Sequence, residues 1–285
     1  MRALLAALAA APLLVAGAAR ARMPGGQAAF GQAPSAGQAA ASSYPNSAQP
    51  ATPVVVELFT SEGCSSCPPA DRLLAQLEQN QPVPGAQIIA LEEHVDYWNS
   101  QGWSDPFSSV QFTNRQADYV DTLHTSTAYT PEMVVDGATA FVGNNERAAL
   151  AAIAKASGIP NGRITLEPKP DSNADAKALL LRIQVEPAPD WHRHDEADVV
   201  VVITENGLSS NVTRGENAGV RLSHRAVVRE LRVIGHVDPT GSFAAEPDLK
   251  VSKNWQRANL RAVVFVQMRK DRHIVSAAAV PLSGE

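Results

Sequence analysis

Apolar positions open the chain as one long run and afterwards return in short blocks of two different textures. Ala3 to Ala16 is apolar and rich in Ala and Leu. It follows the positive start Met1-Arg2 and leads into the small-x-small sites Ala16-Gly17-Ala18 and Ala19-Arg20-Ala21. That layout predicts a signal peptide over residues 1–21. A spanning helix fits less well, because the run is shorter than the ~20 residues a bilayer needs and contains Pro12. Residues 22–52 hold Ala, Gly, Gln, Ser and Pro with almost no large apolar side chains, which predicts a flexible linker.

Folded structure is expected from Val54. Val54-Val55-Val56-Glu57-Leu58-Phe59 is β-branched and nearly continuous, as in a strand covered on both faces. Leu73, Leu74 and Leu77 recur at helical spacing between Pro68 and Gln79, and Ile88-Ile89-Ala90-Leu91 reads as a second buried strand. Strand, helix, strand is the βαβ order that gives parallel neighbours. A helix is expected around Gln111 to Leu123. Met133-Val134-Val135, an Asp136-Gly137 turn and Ala140-Phe141-Val142 read as a hairpin, and Glu146 to Ala156 as a closing helix.

From about Ile159 short β-rich runs alternate with turn clusters: Leu179–Val185, Val199–Thr204, Ala226–Ile234, Ala262–Met268 and Ile274–Val280. Such spacing predicts an antiparallel sandwich or small barrel. The pattern therefore divides the chain into an α/β domain over 53–158 and a β-rich, sandwich-like domain over 159–285.

The formal charge of −5 falls by two, to −7, once Arg2 and Arg20 leave with the signal peptide. A moderately acidic chain without a dense basic run offers nothing to hold nucleic acid or an anionic membrane. No cysteine lies near the cleavage site, so no stable membrane anchor is expected after cleavage.

Cys64 and Cys67 are the only cysteines. Export places them where disulfides persist, and a bridge between residues three apart closes too small a ring to add much stability. The pair reads as reactive. It lies in Thr60-Ser61-Glu62-Gly63-Cys64-Ser65-Ser66-Cys67-Pro68-Pro69-Ala70-Asp71, between the first strand and its helix. There the positive end of the helix favours thiolate. Cys64, expected to be the more exposed, is the candidate nucleophile and Cys67 the resolving thiol. Half of a metal site and an inert bridge are the other readings of this spacing.

Thr130-Pro131 stands just before the hairpin. A cis bond is expected there, presenting the Thr130 backbone beside the dithiol to an extended substrate chain. His94 and Asp96 end the second strand, at the edge where active groups gather in open α/β sheets. His94 either steadies a thiolate and moves a proton, or is a hydrogen-bonded structural histidine. Glu57, an acid inside an apolar strand, is read as a proton-transfer partner for Cys67 or as a hydrogen-bonded group at a strand kink. Trp98, Trp103 and Phe107 are either walls of a peptide groove or core. Trp191 to Glu196 reads as a solvated loop, and His224 and Arg229 as a sandwich face or domain interface.

The segment Val55–Asp71 resembles the DUF1223 family of secreted thioredoxin-like proteins. So do His94-Val95-Asp96-Tyr97-Trp98, Gly102-Trp103-Ser104-Asp105-Pro106-Phe107, Tyr129-Thr130-Pro131, Gly215-Glu216-Asn217 and His224-Arg225-Ala226-Val227-Val228-Arg229. The resemblance implies a thioredoxin-like domain followed by a β-rich domain, and no known activity. The resulting expectation is a secreted or periplasmic thiol–disulfide oxidoreductase that needs no cofactor and acts on a protein or small-molecule thiol or disulfide. Its catalytic set would be Cys64, Cys67, Thr130, Pro131, His94 and Glu57. Two other readings stay open: an envelope binding or assembly module with a structural disulfide, and a copper-handling protein using Cys64, Cys67 and His94.

Overall fold

The computed structural model describes residues 51–159, 161–169, 178–187, 190–192 and 196–282. The expected signal peptide and nearly all of the expected linker lie outside the described residues. The βαβ unit forms as its pattern predicts. β1 (Thr52–Thr60) and β2 (Ala86–His94) run parallel, from Thr52 opposite Ala86 to Thr60 opposite His94, and α1 (Pro68–Asn80) joins them. Pro68 and Pro69 occupy the first turn of α1, where a missing N–H is tolerated and φ is already helical.

α2 (Val110–Thr122) starts at Ser109, whose hydroxyl accepts from the Gln111 N–H. β3 (Glu132–Val135) pairs antiparallel with β1 on one side and with β4 (Thr139–Val142) on the other. Their turn takes Asp136 at φ 46° and Gly137 at φ 64°. A Cβ on Gly137 would strike the Arg272 carbonyl, so glycine is required there. α3 (Glu146–Ser157) is capped by the Asn145 side chain.

Period-two alternation sorts the strand residues onto two faces. Val54, Val56, Leu58, Ile88 and Ala90 pack under α1 and α3, against Leu73, Leu74, Leu77 and Ile153. Val55, Ile89 and Leu91 face the other way, with Phe112 of α2.

The second half of the chain corrects the expected architecture. β7 (Ala197–Glu205), β10 (Val227–His236), β13 (Leu260–Met268) and β14 (Ile274–Pro281) do not build a separate sandwich behind a thioredoxin-like α/β domain. They extend the first sheet into one of eight strands, ordered β14-β13-β7-β10-β2-β1-β3-β4. β10 enters beside β2 in the parallel sense at Val227 opposite Glu92, and the Glu92 N–H donates to the Ala226 carbonyl at 2.9 Å.

The reason is coverage. Val199 to Ile203 is apolar at every position and buried throughout, so it needs cover on both faces. Val200, Val202, Val263 and Phe265 join the Val55, Ile89, Leu91 and Phe112 cluster. Val199, Val201, Ile203 and Val264 face a smaller sheet through Leu181, Ile183 and Leu249. That sheet comprises β5 (Arg163–Pro168), β6 (Ala178–Glu186), β11 (Phe243–Ala245) and β12 (Asp248–Lys250). A core drawn from both sides of residue 159 leaves no domain boundary there. The last element is a short hairpin, β8 (Leu208–Asn211) with β9 (Arg221–His224), whose connection 212–220 returns to the start of α1. Among the described residues, no helix is long and apolar enough to cross a membrane.

Candidate functional site

Cys64 and Cys67 are joined as a disulfide across the junction of β1 and α1, with Cα atoms 5.4 Å apart. Cys67 is the N-cap of α1, and its N–H donates to the Cys64 carbonyl at 3.2 Å. Ser65 and Ser66 between them are exposed, and Ser66 Oγ lies 3.3 Å from Cys64 Sγ. Both cysteines are wholly buried, so the expected exposure of Cys64 does not hold. The backbone of their loop is held by residues from far along the chain. The Asn217 amide donates to the Glu62 and Cys64 carbonyls at 2.9 and 3.0 Å, and the Ser65 N–H donates to Glu216 at 3.0 Å.

Trp98 closes the other side. It crosses Gly63 so tightly that a Cβ there would stand 3.2 Å from its own Cβ, and its indole N–H donates to Thr130 Oγ1 at 2.8 Å. The Thr130–Pro131 bond is cis. Trp98 thus ties the cysteine loop to Thr130-Pro131.

Past Ile88 and Ala90, the α1-facing side of β2 turns polar at Glu92 and His94. Glu92 Oε1 lies 2.8 Å from His224 Nδ1 and 3.4 Å from His94 Nε2. His94 Nδ1 is 2.7 Å from Asp105 Oδ2, which also accepts the Glu62 N–H at 2.8 Å. His224 Nε2 is 3.0 Å from Glu62 Oε1, and Glu62 Oε2 accepts the Trp103 indole N–H at 2.8 Å. The two imidazoles meet edge to face, 4.9 Å between centroids, with Phe107 against both at 5.4 and 5.5 Å. All five polar residues are buried.

Burial works against charge throughout this cluster, and the partners overrule it. It disfavours a charged His94, yet Asp105 and then Glu92 raise that histidine well above its ordinary value. It likewise opposes a charged His224, which Glu92 and Glu62 raise to about 9. Burial would raise Glu92, but His224 and His94 hold it down at about 2. Asp71 of α1, which accepts from Thr60 Oγ1 at 2.6 Å, goes the other way: burial and the Glu92 charge lift it to about 7.

The opposite face holds Glu57. Arg115 Nε lies 2.6 Å from its carboxylate and 3.5 Å from that of Glu93, and the Tyr119 hydroxyl donates to Glu57. Burial and the Glu57 charge raise Glu93 well above its ordinary value, and its carboxyl oxygens make no hydrogen bond. Alternation in β1 therefore turns Glu57 away from the face on which α1 and Cys67 lie, and no hydrogen bond or ion pair among the described residues links it to either cysteine.

Of the residues singled out from the sequence, Cys64 and Cys67 are bonded to each other, and Thr130-Pro131 is linked to their loop through Trp98. His94 reaches the cysteine loop at Glu62, through Asp105 to its N–H and through Glu92 and His224 to its carboxylate. The Cys64, Cys67 and His94 set of the copper reading is not assembled, since the sulfurs bind each other and His94 is turned to Asp105 and Glu92. Trp103 and Phe107 are walls of the histidine cluster rather than of an open groove. Arg193, His194 and Asp195 lie outside the described residues. Sequence reasoning missed Glu62, Glu92, Asp105 and Asn217 and set His224 aside as an interface residue. The available signal was Glu92-Glu93, two adjacent acids that must point to opposite faces of an apolar strand. Glu92, His94 and His224 bring one ligand atom each within 4.8 Å of one another.

Comparison with known proteins gives two findings. The family model described as "Protein of unknown function (DUF1223)" matches residues 55–267. A crystal structure of a protein from Agrobacterium tumefaciens, solved as a structural-genomics target, is 26% identical with a TM-score of 0.62, covering 84% of this chain and 97% of that one. None of the curated proteins compared matches the chain.

Proposed function

The chain belongs to the DUF1223 family of proteins of unknown function, and from that premise we propose an exported thiol–disulfide oxidoreductase working through Cys64 and Cys67. The observation that carries this reading is the disulfide itself, which spans three positions at a helix N-terminus with Ser65 and Ser66 exposed between its ends. Its ring is far smaller than the 15-residue loop whose closure is worth about 3 kcal/mol, so stability is a weak reason for it. The positive end of α1 favours the thiolate released when the bond opens.

In the reducing direction the Cys64 thiolate attacks a substrate disulfide, forming a mixed disulfide and expelling one substrate thiolate, which takes a proton. The Cys67 thiolate then attacks Cys64 Sγ, closes the intramolecular bond and releases the second substrate thiolate. Two electrons pass from the two cysteine sulfurs to the substrate, and both released thiolates take protons from solvent, which received them when the two cysteines ionised; the reverse sequence oxidises a dithiol. Access requires the 212–220 connection to lift, which costs the three hydrogen bonds that Asn217 and Glu216 make to the cysteine loop. Thr130-Pro131, tied to that loop through Trp98, borders the path by which a substrate chain reaches the sulfurs.

Equilibration of the full chain against a glutathione series tests the reading. A reduction potential above about −300 mV, exchange abolished in Cys64→Ser, and a trapped mixed disulfide in Cys67→Ser are expected. A bridge that glutathione cannot open, or exchange that survives Cys64→Ser, overturns it.

A further inference from the structure

We infer that Glu92, His94 and His224 form a binding site for a divalent transition-metal cation of the zinc class, separate from the disulfide. The three are fully or nearly fully buried and place their ligand atoms within 4.8 Å of one another. Glu92 Oε1 stands 2.8 and 3.4 Å from the facing nitrogens of His224 and His94. Donors that share a cation at metal–nitrogen and metal–oxygen distances near 2.0–2.2 Å are separated by about 3 Å.

The orientation of the rings argues more strongly than their closeness. Each imidazole has one nitrogen held by a carboxylate and the other turned to Glu92. Asp105 holds His94 Nδ1 at 2.7 Å, and Glu62 holds His224 Nε2 at 3.0 Å. A carboxylate on the far nitrogen can hold that nitrogen as the N–H donor while the near one gives up its proton to take a cation, the arrangement found behind metal-ligating histidines. His94 Nε2, wholly buried and aimed at Glu92, makes no hydrogen bond. A buried ring nitrogen whose carboxylate neighbour stands 3.4 Å away is only weakly satisfied, and coordination supplies a full partner.

Charge points the same way. Three carboxylates, Glu62, Glu92 and Asp105, surround the two imidazoles in a water-excluded volume walled by Phe107 and Trp103. A divalent cation can take the place of the two protons that the imidazoles share with these carboxylates and leave the buried charge balanced as before. Two imidazoles with one carboxylate suit Zn²⁺, Co²⁺ or Fe²⁺ and are too nitrogen-rich for Mg²⁺ or Ca²⁺.

The test uses the full chain, stripped with chelator and with its disulfide intact, so that no thiol competes. Calorimetric titration with Zn²⁺ is expected to show one equivalent bound. Titration with Co²⁺ is expected to give the visible bands of a nitrogen and oxygen site without the thiolate-to-cobalt band. His94→Gln lowers Zn²⁺ affinity at least about tenfold, and Asp105→Asn, which keeps the packing, lowers it about 10- to 100-fold. Less than one equivalent bound to the wild-type chain means that protons alone occupy the cluster and overturns the inference, as does a thiolate band. A folded His94→Gln protein that binds like wild type overturns it too. None of these readouts involves exchange at Cys64 and Cys67, so either proposal can fail while the other stands.

Discussion

Asp136 in the β3–β4 turn should make the protein lose stability as pH rises from about 4 to about 7. The residue is 4% exposed. Its carboxylate accepts the Val55 N–H at 2.7 Å, its own N–H donates to the Val55 carbonyl at 2.9 Å, and its carbonyl accepts the Ile274 N–H at 2.9 Å. Burial, only partly countered by the hydrogen bond from Val55 and reinforced by the Glu57 charge, lifts its carboxyl from 3.8 to about 7. A raised acid keeps its proton in the folded chain at a pH where the unfolded chain has already lost it. The folded state then binds more protons than the unfolded state, so stability falls with rising pH across that window and levels off above it. At about 1.36 kcal/mol per pH unit the full effect is about 4 kcal/mol.

Asp136→Asn isolates this. The amide oxygen still accepts from Val55, nothing titrates, and φ 46° suits asparagine as well as aspartate. Urea unfolding of both proteins with the disulfide intact, at pH steps from 4 to 8 and equal m-values, gives the difference directly. The variant should match wild type within about 1 kcal/mol at pH 4 and exceed it by up to about 4 kcal/mol at pH 8. A difference that stays flat with pH, or one that shrinks as pH rises, would refute the reasoning.

Two further outcomes follow from the polar clusters. Arg115→Met strips Glu57 of its ion pair inside the sheet face and should cost about 3–5 kcal/mol in urea unfolding, part of which Glu57→Gln in the same chain restores; a loss under 1 kcal/mol would count against the pairing. Asn217→Ala removes two hydrogen bonds over the cysteine loop, each worth about 1 kcal/mol. Reduction of the Cys64–Cys67 bond by dithiothreitol should quicken by up to about 30-fold, which is about 2 kcal/mol at 1.36 kcal/mol per factor of ten, and an unchanged rate would mean that this cover does not limit access.

Elements were easier to read from the sequence than their assembly. The β1-α1-β2 unit follows from the Val54–Phe59 and Ile88–Leu91 runs and from Leu73, Leu74 and Leu77, and the hairpin from Asp136-Gly137. Periodicity says that Val199–Ile203 is a strand covered on both faces; it does not say that β10 will pair with β2 or that Val202 will pack in one core with Ile89. The expected boundary near residue 159 failed for that reason. The site divides along the same line. Cys64 and Cys67 are legible because their meaning is local, three positions apart. His224 is not, because its carboxylate partners Glu62 and Glu92 lie 162 and 132 positions away. Glu57 was noticed for its type, but strand alternation decides its face and hence its partner, Arg115.

The shared sheet also sets the order in which the site can be built. During synthesis both cysteines leave the ribosome more than a hundred residues ahead of Asn217 and His224. The growing chain then has β1, α1 and β2 but an uncapped β2 edge and an uncovered sulfur pair. The hydrogen bonds that Asn217 and Glu216 make to the cysteine loop form only once the 212–220 connection is in place. Pairings of such long sequence separation form slowly. Closure over the sulfurs therefore waits for the last third of the chain to be made, long after the cysteines themselves.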